Sequence, residues 1–312
     1  MMTPILPGER AEIMQASEAV KGRSLWVDAR RRLFRNKAAV VSMIVLGIIT
    51  LMAIFAPLLS PYAFDEIDYD LVQRAPSWWP GESMLGYAGG SHWFGMDSVG
   101  RDLFIRTLYG ARVSLAVGLV ATCVSLMIGV LYGATAGFLG GRIDNLMMRF
   151  VDILYSLPFI FFVIILMVIF EQNFILLFVA IGAVEWLTMA RIVRGQTLSV
   201  KQKEFVEAAR AGGVGTWGII TRHIIPNVIG PVIVYVSLTI PAVILAESFL
   251  SFLGLGIREP MTSWGVLISE GANALETAPW LLIFPAGFMA VTLFCFNFIG
   301  DGLRDALDPK DR

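Results

Sequence analysis

Five stretches of this chain run for roughly twenty residues or more without a charged side chain: Ala38 to Phe64, Val113 to Gly141, Ile153 to Phe170, Val228 to Ala246 and Leu281 to Gly300. An α-helix rises about 1.5 Å per residue, so about 20 apolar residues cross a hydrocarbon layer about 30 Å thick. No water is available there to pair with backbone N–H and C=O groups, so such a segment must satisfy itself as a helix. A sixth stretch, Gln172 to Ala190, is apolar except for Glu185, and only a short link containing Glu171 separates it from the third run. A tight helical hairpin is expected at that link. The fold class that follows is all-α, a polytopic membrane protein with six transmembrane helices.

The composition excludes the alternative of two soluble domains. The chain has 312 residues, 56% of them hydrophobic and 16% charged, against roughly 45–50% apolar and about 25% charged in soluble domains. The apolar runs leave too little polar sequence for separate soluble units. A cleaved signal peptide is not expected either. Residues 1 to 37 are too long and too mixed in charge for its basic leader, and the first apolar run greatly exceeds an apolar core of about 7–15 residues. The reading is an uncleaved first span.

Six spans place both termini on one side, and the positive charges decide which. The tail up to Lys37 holds eight Lys or Arg, the segment from Gly141 to Arg149 two, Arg191 to Arg222 six, and Gly302 to Arg312 three, together 19 of 24. The opposite side holds Arg74, Arg101, Arg106 and Arg258, with Arg112 at a boundary. Both termini are therefore expected in the cytoplasm.

Several kinds of chemistry lack support. Cys123 and Cys295 lie inside apolar runs, which argues for small core residues rather than a disulfide or zinc site. His92 and His223, the two histidines, fall on opposite sides of the membrane, so no histidine-based metal site forms within the chain. None of the five lysines follows a glycine, so no phosphate-binding Gly-Lys-Ser/Thr loop exists and no nucleotide site is supplied. Gly213-Val-Gly-Thr-Trp-Gly218 matches the spacing of a dinucleotide-binding turn, but it follows a helix rather than a strand. A membrane-bound hydrolase needs a nucleophile beside a base, which two histidines on opposite faces supply poorly. An ion-driven secondary transporter would place its proton on Glu185 or Glu247, yet its internal repeats and matched broken helices are missing.

Within the second span, Gly129, Gly133, Gly137 and Gly141 recur every four residues and leave one helix face bare. A second helix can approach closely there, either from this chain or from a partner subunit. Outside the bilayer, residues 61 to 111 read as a loop with Trp78, Trp79 and Trp93 as interfacial anchors, ending in a short amphipathic helix from Arg101 to Arg112. Ser263 to Leu275 reads as a surface helix. Glu185 and Glu247 are candidate pathway-lining residues, because a charge near a helix centre costs about 2.5–3.5 kcal/mol to insert. The competing reading makes each a structural pair with an arginine or backbone group, or places it near the interface. Asp152 and Arg191 fall at the cytoplasmic boundary.

Between the fourth and fifth spans, Arg191 to Pro226 is far longer than a turn requires. Ser199 with Gln202 three residues on resembles a capping box, which predicts a helix starting at Val200 and running through Arg210, stopped by Gly212 and Gly213. That helix would expose Ala208, Ala209 and Ala211 beside Phe205 and Val206, flanked by Glu207 and Arg210. Such a small-residue surface fits a groove on another protein. The alternative is an amphipathic helix lying on the headgroups. A second short helix is expected to run to Pro226.

Glu207-Ala208-Ala209, then Gly213, then Pro226 resembles the EAA signature by which permeases of ABC importers grip their ATPase subunits. His223 and Ile225 depart mildly from the general pattern, whereas Arg222 to Asn227 matches its peptide-transport branch. Asn36-Lys-Ala-Ala-Val-Val, Phe55-Ala-Pro-Leu-Leu-Ser-Pro61, Phe94-Gly-Met-Asp-Ser-Val-Gly-Arg-Asp102, Tyr109-Gly-Ala-Arg-Val-Ser-Leu115, Ser248-Phe-Leu-Ser-Phe-Leu-Gly-Leu-Gly256 and Gly300-Asp-Gly-Leu-Arg-Asp-Ala-Leu-Asp-Pro309 extend the likeness along nearly the whole chain. The chain is similar to the C-type permeases of the peptide/nickel importer family, which have the type I ABC importer permease fold.

That resemblance implies a non-enzymatic subunit of the bacterial inner membrane that binds no cofactor, ATP and Mg being held by partners. The implied partners are a paralogous second permease, two ATP-binding subunits and an external peptide-binding protein. It assigns ATPase coupling to Phe205, Glu207, Ala208, Ala209, Arg210 and Gly213. The organisation expected is a cytoplasmic tail at 1–37, a first span at 38–64, an external loop at 65–111, a five-helix permease core at 112–300 with its coupling loop at 191–226, and a cytoplasmic tail at 301–312. The resemblance does not separate oligopeptides from dipeptides, murein peptides or nickel complexes as cargo.

Overall fold

The computed structural model describes residues 25–79, 92–158, 161, 163–165, 169 and 174–307. The described chain is helical apart from loops and one isolated bridge between Met96 and Asp102. Its helices are α1 (Leu25–Arg35), α2 (Lys37–Ile54), α3 (Ala56–Leu59), α4 (Leu103–Leu139), α5 (Gly141–Ser156), α6 (Phe174–Val200), α7 (Glu204–Ala211), α8 (Thr216–Ile219), α9 (Ile225–Phe252), α10 (Trp264–Asn273) and α11 (Trp280–Leu307). One turn of π-helix, Ile220–Ile224, joins α8 to α9.

Among the described residues, four helical stretches are long and apolar enough to cross a membrane: Lys37–Ile54, Leu103–Leu139, Thr216–Phe252 and Trp280–Leu307. They carry the first, second, fifth and sixth expected spans. The third expected span is described in part, at 153–158, 161, 163–165 and 169, and the Glu171 link lies outside the described residues. The fourth is seen from Phe174 as part of α6.

Three boundaries differ from those expected. A separate helix from Arg101 to Arg112 does not form. Leu103 to Leu139 is one helix of 37 residues, and its first turns, from Leu103 to Ala111, stand in the loop expected at 65–111. Asp102 starts it by accepting a hydrogen bond from the Ile105 N–H at 2.8 Å. The N-terminal tail is likewise not featureless, because α1 precedes α2 with Asn36 between them as N-cap, accepting from the Ala39 N–H at 3.2 Å. Finally, α6 continues past Arg191 to Val200, ten residues into the segment read as a cytosolic loop.

The glycine face settles against the same chain. A methyl group at Gly129 would meet Met189 Cγ at 2.5 Å, and one at Gly137 would meet the Arg194 carbonyl oxygen and Thr197 Cβ, each at 2.9 Å. These neighbours all lie on α6, so the bare face of α4 is the seat of α6. Gly141 is not part of it; it begins α5 with φ 58° and nothing within 4 Å of an added Cβ. Bidentate Arg194 to Asp144, at 2.6 and 2.8 Å, ties α6 to α5. Arg191 adds a contact to Asp152 at 2.7 Å.

Candidate functional site

The exposed connection between α6 and α9 is built around α7. Ser199 does not cap it, since Ser199 lies inside α6. The chain turns at 201–203, and Lys203 stands at the N-cap without a side-chain bond. Lys201 reaches back to the Gly137 carbonyl at 2.8 Å and holds the turn against the end of α4. The C-terminus stops as expected. The Gly212 N–H donates to Ala208 O at 2.9 Å, the Val214 N–H to Ala209 O at 3.0 Å, and Gly213 adopts φ 79°. Only glycine takes that left-handed conformation without steric cost.

The amphipathic pattern divides α7 differently from the sequence reading. Val206 is 1% exposed and packs with Ile219, Ile220 and Ile224, while Ala209 is half-buried beside them. Val206 is therefore an anchor and not part of the exposed surface. Phe205, Glu207, Ala208, Arg210 and Ala211 remain exposed, with Trp217 of α8 beside them in sequence and 58% exposed. The Arg210 guanidinium lies 5.7 Å from the Phe138 ring centroid. The segment is thus a short, glycine-stopped helix pinned from beneath, presenting one aromatic, small side chains, the acids Glu204 and Glu207 and the cation Arg210 outward.

The two carboxylates offered as pathway-lining are placed unlike each other. Glu185 is half-buried on α6, within electrostatic range of the Tyr235 hydroxyl on α9. Glu247 of α9 has no exposed surface. Ser251 donates to its Oε1 at 2.7 Å, and Ser114 of α4 and Ser248 approach Oε2 at 3.4 and 3.5 Å. Ser251 also meets Ser263, the N-cap of α10, at 3.4 Å, and Ser114 accepts from the Trp264 N–H at 3.2 Å. Glu247 is therefore the centre of a hydroxyl cluster joining α4, α9 and α10, without the arginine partner that one sequence reading offered.

A second cluster was not anticipated. Asp97 accepts from Arg101 Nε and Arg106 Nη1, both at 2.7 Å, while Arg101 reaches Glu259 at 2.9 Å and Arg106 reaches Glu270 at 3.2 Å. Both arginines are almost fully buried. Burial pushes the Glu270 carboxyl up to about 7, with Asp97 adding to the rise and Arg101 opposing it. The i,i+4 spacing of Asp97 and Arg101 was visible in sequence, but their burial depends on partners more than 150 residues away. Among the described residues no group of His, Cys, Asp and Glu has the arrangement to hold a metal ion.

Apolar spans, a pinned helix on the exposed connection and a second membrane-proximal helix match a class already defined by sequence. Residues 98–312 match the family described as binding-protein-dependent transport system inner membrane component, and residues 24–76 match the N-terminal TM domain of oligopeptide transport permease C. The chain belongs to that family of inner-membrane transport components. The oligopeptide transport system permease protein OppC of Escherichia coli strain K12 is 57% identical over 312 residues, covering 100% of both chains. OppC of Bacillus subtilis strain 168 is 45% identical over 292 residues, covering 94% of this chain and 92% of the relative. The dipeptide transport system permease protein DppC of the same strain is 45% identical over 286 residues, covering 91% and 86%. This chain is accordingly a multi-pass permease component rather than an enzyme.

Proposed function

We propose that the chain is one of two membrane-spanning permease subunits of an ATP-driven oligopeptide importer, forming half of the translocation pathway. Full-length identity of 57% to a permease named for oligopeptides supports that cargo over dipeptides, although a dipeptide permease at 45% remains a near relative. The reading has six spans with both termini cytoplasmic, supported by 19 of 24 positive residues on one side. A paralogous permease completes the pathway, two ATP-binding subunits hold ATP and Mg, and an external binding protein delivers the peptide. The chain itself holds no cofactor.

Coupling passes through α7. The single observation that carries this is an eight-residue helix with Val206 buried and Phe205, Glu207 and Ala208 exposed. An exposed aromatic beside small residues is what a groove on another protein receives. Phe205 would enter the groove, Ala208 and Ala209 would allow close approach, Glu207 and Arg210 would meet its polar rim, and Gly213 would set the exit angle. Nucleotide-dependent contacts that differ between ATPase states would then move α7, and with it α6 and α9. Glu185 faces the pathway, whereas Glu247 reaches it only if α10 separates from α9.

The test is uptake. Proteoliposomes holding this chain with its partners should accumulate a labelled tetrapeptide when ATP and the binding protein are present. Accumulation should be lost on omission of ATP, because nothing else in the vesicle then drives uptake against the gradient. Accumulation driven by a proton gradient without ATP would contradict the reading.

A further inference from the structure

The helix α1 precedes the first span and has no part in the coupling argument. At about 100° per residue, from 3.6 residues per turn, its side chains sort into three faces. Ala29, Leu33 and Asn36 form the first, which lies on α11: Ala29 is 8% exposed, and a Cβ on Gly302 would meet Leu33 Cδ1 at 3.1 Å. Trp26, Val27 and Phe34 form the second, 52%, 53% and 61% exposed, with Arg30 projecting among them. Arg31, Arg35 and Arg32 form the third, with Asp28 as its one acid. Beside this third face is an open cavity of about 590 Å³ lined by Arg32, Arg35, Asn36, Gly302, Asp305 and Ala306.

A helix with one side on protein has no reason to expose a tryptophan and a phenylalanine to water on its second side. Its height is also fixed, because only Asn36 separates it from Lys37–Ile54, a span long and apolar enough to cross the bilayer. We propose that α1 lies in the membrane interface, with Trp26, Val27 and Phe34 among the acyl chains and Arg31, Arg32 and Arg35 binding the headgroup phosphate of anionic phospholipid. Amphipathic helices bind interfaces through such a pairing of apolar area with basic charge. Arg30 reaches the headgroups from the apolar side along its own aliphatic stem. Asp28 on the face and Asp305 at the cavity stand against Arg31, Arg32 and Arg35, so these side chains together carry a net positive charge. The inference rests on the multi-pass placement alone and not on cargo or coupling, so an uptake result bears on neither part of it.

Tryptophan fluorescence in nanodiscs tests it. The full-length chain is reconstituted in phosphatidylcholine discs containing a minor fraction of brominated phosphatidylglycerol, or the same fraction of brominated phosphatidylcholine. The difference between wild type and Trp26→Phe isolates the Trp26 signal. That signal should be quenched by both lipids, and about fivefold more by phosphatidylglycerol, the preference that one arginine near an anionic surface supports. Arg30→Gln with Arg31→Gln, Arg32→Gln and Arg35→Gln should bring the ratio to about one while quenching persists. Should that variant fail to assemble, high salt added to wild type should lower the ratio by screening. Inorganic phosphate should leave the ratio unchanged. A Trp26 signal quenched by neither lipid, a wild-type ratio of one, or a preference abolished by inorganic phosphate would each overturn the proposal.

Discussion

Glu247 shows how a residue flagged by its insertion cost can be satisfied without a counter-ion. Its carboxylate accepts a strong bond from Ser251 and weaker ones from Ser114 and Ser248, and these serines in turn hold Ser263 and the Trp264 N–H at the start of α10. Glu247→Gln keeps an acceptor for Ser251, so assembly should survive with a loss of stability of about 1 kcal/mol, that of one neutral hydrogen bond. Glu247→Leu strands the hydroxyls and should cost about 1–3 kcal/mol. Thermal unfolding of the purified chain in detergent measures both, and equal stability of Glu247→Leu and wild type would remove the cluster from the account. The sequence showed that Glu247 was unusual and set Ser248 and Ser251 beside it on α9, but Ser114 comes from α4 and Ser263 from the cap of α10, and that arrangement is a product of packing. Arg106 was illegible for the same reason: it reads as a charge on the external side, yet it is fully buried between Asp97 and Glu270.

Helices were legible where a single physical demand dominates the segment. Apolar runs located α2, α4, α9 and α11, and Gly212-Gly213 located the end of α7. Starts were harder. Ser199 and Gln202 have capping-box spacing, but packing of α6 on the glycine face of α4 carries the earlier helix through Ser199, and α7 begins only at Glu204. The glycine spacing announced a close helix contact without naming the partner, which proved to be α6. Substituting that face should therefore damage the chain itself rather than only its assembly. Gly137→Leu drives a side chain into Arg194 O and Thr197 Cβ and should cost about 3 kcal/mol, as overpacking of a tight contact does. Gly195→Ala, on the open side of α6 with nothing within 4 Å, should gain up to about 1 kcal/mol from helix propensity. Melting of the two variants in detergent checks the contrast, and similar melting temperatures would show that α4 and α6 do not depend on this contact.

At the scale of the whole molecule, an all-helical membrane component follows from hydropathy alone, and the family match extends from residue 98 to 312. What the molecule does depends on a surface that hydropathy does not describe. Between α6 and α9 the chain leaves the apolar layer and builds a helix held by Val206 and by the Lys201 bond to Gly137, with a glycine at φ 79° at its end. If α7 is the element that an ATPase subunit grips, reversing the charge of Glu207 and straining its exit should uncouple the transporter while leaving the spans inserted. Glu207→Lys places a cation where the rim contact expects an anion, and Gly213→Val forces a β-branched residue into a left-handed backbone it rarely adopts. The measurement is co-purification of the ATP-binding subunits together with ATP-dependent peptide uptake, for the double variant against wild type at equal membrane levels. The account predicts lost ATP-binding subunits, or retained hydrolysis without uptake. Full uptake with the ATP-binding subunits still bound would contradict it.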